Sequence, residues 1–239
     1  MNDRQDSAPP TNNRLAARRV VAGARKAALA TSQDGRPYVS LVTVAFDHDL
    51  SPILLLSRLA DHTRNLLIDA KAALLLDGTG GLDNPQTGPR VTLVGTVAED
   101  GRAHLRRRFL ARHPAAALYA GFGDFAIWRL SVEKAHFVGG FARAVWLDSP
   151  QVPETEAEAM AAAEPPLLER INGQFPDMVA ALAVAAGGTG DISWRLAAVD
   201  SLGCDLAGGE RSLRLNFTEP VREGEGILRV LVEMAGKTG

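Results

Sequence analysis

Between residues 26 and 98 the chain repeats one pattern, a short apolar or alternating run followed by turn chemistry. Lys26–Thr31 leads into Gln33-Asp34-Gly35-Arg36-Pro37, where Asp-Gly is a hairpin signal. Tyr38–Phe46 then alternates. Val39, Leu41 and Ala45 fall on one side, with Tyr38, Ser40, Val42, Val44 and Phe46 on the other. This predicts a strand at least partly covered on both faces. His48-Asp49 is turn chemistry again, and Ser51–Leu56 is the next strand. Two hairpin-like connections in so short a span constrain the chain to an antiparallel sheet. Ala72–Asp77 and Arg90–Ala98 add strands on either side of a Gly78–Pro89 loop. Phe125–His136 and Phe137–Leu147 add two more around Gly139-Gly140. Regular strands with turn signals, and only two or three helices among them, argue for a barrel.

Helical periodicity marks Arg14–Arg25, the segment after Ser57, and Gly101–His113, which Pro114 stops. Arg106-Arg107-Arg108 in the last of these reads as a solvated face. The chain divides into a disordered tail over 1–13, a barrel domain over 14–148, a linker over 149–164 and an α+β module over 165–239. In that module Pro165 and Pro166 sit at a helix start, where proline is tolerated. Leu167, Leu168, Ile171 and Phe175 form the apolar face of that helix, and Glu223–Gly236 is a closing helix.

The 239 residues are 46% hydrophobic and 23% charged, with a net charge of −2, so a globular protein is expected and nothing favours nucleic acid or an anionic membrane. No apolar run is long enough to span a bilayer, and the polar N-terminus has no apolar leader region, so a cytoplasmic location is expected. Cys204 is the one cysteine, which excludes a disulfide framework and a multi-thiolate metal site. The five histidines are scattered without helical ligand spacing, so no metal site is expected.

The densest polar constellation is Ser-Arg-Leu-Ala-Asp-His-Thr-Arg-Asn-Leu (57–66), which follows the apolar run Pro52–Leu56. A strand-to-helix junction offers free amides and a positive helix end, which suit phosphate. The same residues also read as a capped helix, with Asp61 or Thr63 as the cap. Ser40 on the neighbouring strand and Arg90 at the head of another support the constellation.

Three stretches resemble the pyridoxamine 5'-phosphate oxidase-related FMN-binding split-barrel family. They are Ala-Leu-Ala-Thr-Ser-Gln-Asp-Gly-Arg-Pro-Tyr-Val-Ser-Leu-Val (28–42), Leu-Ser-Arg-Leu-Ala-Asp-His-Thr-Arg-Asn-Leu (56–66) and Arg-Val-Thr-Leu-Val-Gly (90–95). Gly-Asp-Phe (123–125), Phe-Val-Gly-Gly-Phe-Ala-Arg-Ala (137–144) and Ala-Ala-Val-Asp-Ser-Leu-Gly-Cys-Asp-Leu (197–206) resemble its haem-utilisation, HugZ/HutZ-like branch, including the C-terminal module of that branch.

The resemblance implies a six-stranded Greek-key split barrel, a homodimer with FMN at the protomer interface. Carried over by position, Ser57, Arg58, Thr63 and Asn65 would hold the FMN phosphate with His62 nearby. Ser40 and Arg90 would approach the flavin ring or ribityl chain. The main expectation is therefore an FMN-binding flavoprotein, a flavin-dependent oxidoreductase acting on an unidentified small molecule, with no catalytic acid or base assigned.

Two departures bear on this. Ser40 and Ala45 stand where pyridoxamine-phosphate oxidases carry Arg and Lys, and Glu169–Asp177 lacks the histidines of the haem-utilisation motif. The alternative is a haem-binding protein on the same barrel, with a ligand from His62, His113 or His136. A third reading is a dimeric binding module with an empty groove.

Overall fold

The computed structural model describes residues 12–140, 143–148 and 151–236. Of the tail expected over 1–13, residues 1–11 lie outside this range. Asn12 instead caps the first helix, its side chain accepting from the Leu15 amide at 3.0 Å. In chain order the elements are α1 (Asn13–Gly23), β1 (Lys26–Gln33), β2 (Arg36–Thr43), β3 (Ala45–Phe46), β4 (Pro52–Ser57), α2 (Asp61–Ile68), β5 (Lys71–Asp77), β6 (Arg90–Glu99), α3 (Ala103–Arg112), β7 (Phe125–Val138) and β8 (Ala144–Leu147). The second half follows with α4 (Glu154–Gln174), α5 (Pro176–Ala185), β9 (Arg195–Asp200), β10 (Gly203–Gly208), β11 (Arg211–Asn216) and α6 (Gly224–Gly236).

The first eight strands form one curled antiparallel sheet in the order β2-β1-β5-β6-β7-β4-β3, with β8 paired to β7. This is the split-barrel fold, with eight strands where six were expected. The difference arises at two places. The strand expected over 38–46 breaks at Val44, whose amide turns to the Arg25 carbonyl (3.0 Å), so β2 pairs with β1 and β3 with β4. The other is β8, which folds back onto the far end of β7.

Register fixes which face is which. Leu29, Leu74, Leu93 and Ala135 pair in one row across β1, β5, β6 and β7, and all are fully buried. Ser40 continues that row on β2. The neighbouring row, Leu41, Ala28, Leu75, Thr92, His136 and Trp146, lies on the opposite face. There Leu41 is 75% exposed and Trp146 58% exposed.

The second half is a three-stranded antiparallel sheet, β11-β10-β9, packed with α4, α5 and α6 around its own core. The linker expected over 149–164 is helical from Glu154 onward. Those residues are the first half of α4, which runs unbroken through Pro165 and Pro166. Ala157, Met160, Glu164, Leu167 and Ile171 form its buried stripe, so packing along the whole length outweighs two missing amide donors.

Between the halves lies a charged seam. Arg108 on α3 is fully enclosed and bonds the Phe46 carbonyl, the Val199 carbonyl and Glu164 on α4. Arg112 bonds the Ala22 and Ala24 carbonyls and contacts Asp205. Arg214 pairs bidentately with Asp200 at 2.7 and 2.8 Å. Arg108 thus faces the interior, where a solvated face was expected for the 106–108 run. Among the described residues no helix is long and apolar enough to cross a membrane.

Candidate functional site

The apolar run of β4 is buried along its length and ends at Ser57. α2 then begins with Ala60 at its cap and no side chain bonded to the first-turn amides, so neither Asp61 nor Thr63 acts as the cap. The helix lies over β1 and β2. The expected binding residues divide into four groups.

Ser57 and Arg58 stay together at the junction, each held by a carboxylate. Ser57 Oγ donates to Asp124 Oδ2 at 2.5 Å, and Arg58 pairs with Glu99 at 2.5 Å. Thr63 and Asn65 face inward. Thr63 Oγ1 is buried without a hydrogen-bond partner among the described residues, and Asn65 Nδ2 donates to Thr31 Oγ1 at 3.1 Å. Arg90 stands apart at the opposite end of β6 from Glu99 and bonds the Gly88 carbonyl. Nine residue steps along the strand separate Arg90 from Glu99, on the order of 30 Å. Within one chain, Arg90, expected along the flavin ring or ribityl chain, therefore lies far from the residues expected at the phosphate. A dianion at Ser57 and Arg58 would first have to displace two carboxylates.

Ser40 and His62 form the second contact at the junction. Ser40 Oγ lies 3.1 Å from His62 Nδ1, joining the inner row of β2 to the first turn of α2. Burial lowers the His62 pKa from its usual 6.5, against a smaller opposite effect of Asp61, so the ring is neutral at neutral pH. Among the described residues nothing bonds its Nε2.

The other candidate histidines are placed differently. His113 Nε2 lies 2.9 Å from the Val44 carbonyl, the ring packs on Phe109 at 4.9 Å, and burial holds its pKa down to about 4. His136 stacks on Trp146 at 4.8 Å on the outer sheet face. The C-terminal module has no histidine, and burial pushes the Cys204 thiol far above its usual pKa.

A second constellation was not legible as a site in the sequence. A cleft of about 670 Å³ opens between α1, the β3–β4 turn, α3, β7 and α4. On its wall His104 Nε2 sits 3.3 Å from Asp47, and Asp47 also accepts from the His48 amide at 2.9 Å. His48 is sealed behind them, with Nδ1 3.4 Å from Asp47 and Nε2 3.2 Å from Glu164. Burial alone would raise the Asp47 pKa. The contacts with His48 and the charges of His104 and Arg108 outweigh it, so the carboxylate stays ionised. Burial alone would lower that of His48, and its two carboxylate neighbours outweigh this and raise it. His48-Asp49 reads as turn chemistry because its partners come from α3 and α4, more than fifty residues away in sequence. The one local trace was His104 and Arg108 at i and i+4. Among the described residues, no group of three or more His, Cys, Asp or Glu could hold a metal ion.

Residues 9–152 match the family described as CREG, beta-barrel. The non-canonical heme oxygenase HOZ of Arabidopsis thaliana, a chloroplastic protein, is 31% identical over 213 residues, covering 84% of this chain. The chain spans 65% of that relative's length, just under two thirds. A solved protein of unknown function from Agrobacterium tumefaciens superposes with a TM-score of 0.72 at 29% identity, over 95% of this chain and 96% of that one. A heme binding protein from Mycobacterium smegmatis superposes with a TM-score of 0.57 at 25% identity, over 97% and 99%.

Proposed function

The chain belongs to the CREG beta-barrel family, and from that premise we propose that it is a haem-binding protein with His62 as the iron ligand. The observation that carries this is the Ser40–His62 contact. An imidazole that binds iron must be neutral, and it is oriented by a hydrogen bond at its other nitrogen. His62 meets both requirements, with Ser40 at Nδ1 and Nε2 left over. His113 and His48 are committed to protein partners, and His104 to Asp47. Two relatives named for haem, one matched over nearly the full length of both chains, support the same reading.

The residues at the junction suit the ligand. His62 would take the iron and exposed Leu59 would offer apolar contact; Arg58 and Arg64 would meet the propionates on leaving Glu99 and Asp61, the same exchange at Arg58 that a phosphate requires. Haem, when bound, would supply redox chemistry, and the chain would supply the His62 imidazole nitrogen, oriented by Ser40. The active form is a homodimer joined through the apolar outer face of the sheet.

A second reading, FMN at Ser57–Asn65, draws on the uncapped first turn of α2. It requires Ser57 and Arg58 to leave Asp124 and Glu99.

Titration of the full chain with ferric haem tests the proposal. A saturable Soret band that is lost in His62→Ala and kept in His136→Ala is expected. A band unchanged in His62→Ala overturns the ligand. Uptake of FMN with no Soret band overturns the function.

A further inference from the structure

We infer that His48 is a proton-operated latch that holds α4 of the C-terminal module against the barrel. The inference is independent of the haem ligand, since it involves neither α2 nor His62.

The latch is built where the two halves meet. His48 lies in the β3–β4 turn of the barrel and is 4% exposed. Its imidazole stands between two carboxylates from different halves. Nδ1 is 3.4 Å from Asp47 of the same turn, off hydrogen-bond geometry, and Nε2 is 3.2 Å from Glu164 on α4. Arg108 on α3 completes the enclosure, its Nη1 3.0 Å from the same Nε2. Behind Asp47 stand His104 on α3 at 3.3 Å and Arg129 on β7 at 3.9 Å, and behind Arg108 stands Asp200 on β9 at 3.9 Å.

A ring nitrogen placed between a guanidinium and a carboxylate satisfies only one of them in each protonation state. Arg108 can only donate, and ionised Glu164 can only accept. In the neutral ring Nε2 accepts from Arg108 and turns its lone pair toward Glu164 Oε2. In the charged ring Nε2 donates to Glu164, and a positive charge stands between a carboxylate of the barrel and one of the module. The groups facing the ring, Asp47 and Glu164 against Arg108, leave one negative charge that the imidazolium balances. Burial and the charge of Arg108 oppose the proton, but the contacts with Asp47 and Glu164 outweigh them, so the His48 pKa lies above its usual 6.5. The proton also has a way out, since Asp47 lies between His48 and His104, and His104 lines the open cleft.

The device acts on α4. Glu164 sits one helical turn beyond Ala161, which lines the cleft with Ala157 and Glu158. The contacts of Arg112 with Asp205 and of Arg25 with Ser212 persist in either state, so loss of the proton loosens α4 without freeing the module. The sign follows from the raised pKa. The grip is complete below about 6.5 and is lost as pH rises through the raised value, so the mobility of one cleft wall is set by pH on the neutral to alkaline side.

Amide hydrogen exchange of the full chain, corrected for the intrinsic pH dependence of exchange, tests this at about pH 6 and about pH 9, either side of a raised histidine pKa. In wild type the protection of the α4 amides is expected to fall between the two, while that of β5 and β6 holds. In His48→Gln, which carries no charge at either pH, the fall should disappear. It should also disappear in Glu164→Gln, which keeps an acceptor for Arg108 and the Val199 amide but removes the charge that the proton serves. Where His48→Gln does not melt cooperatively, Glu164→Gln decides alone. Level protection of α4 in wild type, a fall shared equally by β5 and β6, or a fall that persists in the variants overturns the latch.

Discussion

Arg108 and Glu164 meet at 2.5 Å with both side chains almost sealed from water, and they tie the barrel to the C-terminal module. Removing one partner of such a pair leaves the other buried and uncompensated, which costs about 3–5 kcal/mol. Arg108→Met should lower stability by that order in urea melts, and Glu164→Gln by less, because an amide still accepts from Arg108 and the Val199 amide. The pH dependence has a definite sign. Burial alone would raise the Glu164 pKa, but Arg108 and His48 hold it below its usual 4.5. Its contribution is present above that value and is lost as pH falls through the lowered one. His113 adds in the same direction. It is kept neutral by burial, so its contribution is present above about 6.5 and lost as pH falls to about 4. Acid unfolding should therefore be shallower in Glu164→Gln than in wild type. Neither pair partner was legible as such in the sequence. An arginine in an Arg-Arg-Arg run and a glutamate among alanines read as solvated, and only the docking of α4 on α3 and β9 brings them together. The 57–66 stretch was more legible. Its local facts, a buried strand ending at Ser57 and a helix after it, follow from apolar pattern and turn chemistry. What each side chain faces does not, since Asn65 meets Thr31 and Ser57 meets Asp124 across the fold.

The barrel's elements show what periodicity resolves and where it stops. β1, β5 and β6 lie where alternation placed them, because one face of each strand is core. Their register needs a correction at Gly95, where β7 carries one extra residue, Glu133, and the ladder shifts. A Cβ at Gly95 would stand 1.9 Å from the Ser131 carbonyl oxygen, so the two backbones can approach only with glycine there. Gly95→Ala should destabilise the chain by about 1–3 kcal/mol in urea melts, with loss of the β6–β7 packing. In α4 the buried residues at 157, 160, 164, 167 and 171 follow helical spacing, but a glutamate in the stripe and two prolines mask it. Pro166 is exposed and contributes no amide to the helix. Pro166→Ala should raise stability by up to about 3 kcal/mol, read from the same melts.

At the scale of the whole molecule, one face of the sheet has no partner within the described residues. Val39, Leu41, Leu75 and Trp146 lie on it, each more than 40% exposed, with Lys134 placed 5.1 Å from the Trp146 ring. A contiguous apolar face of this kind is an association surface, and self-association through a shared patch makes a symmetric pair. Light scattering should give the mass of two chains for wild type and of one chain for Leu41→Glu. A monomeric wild type contradicts the dimer. The haem reading is tested most directly by the visible absorption spectrum of the purified full chain, recorded as ferric haem is added to wild type and to His62→Ala. The account predicts a saturable Soret band in wild type that His62→Ala does not form. A spectrum in which His62→Ala and wild type are the same, or in which wild type shows flavin absorbance and no Soret band, contradicts it.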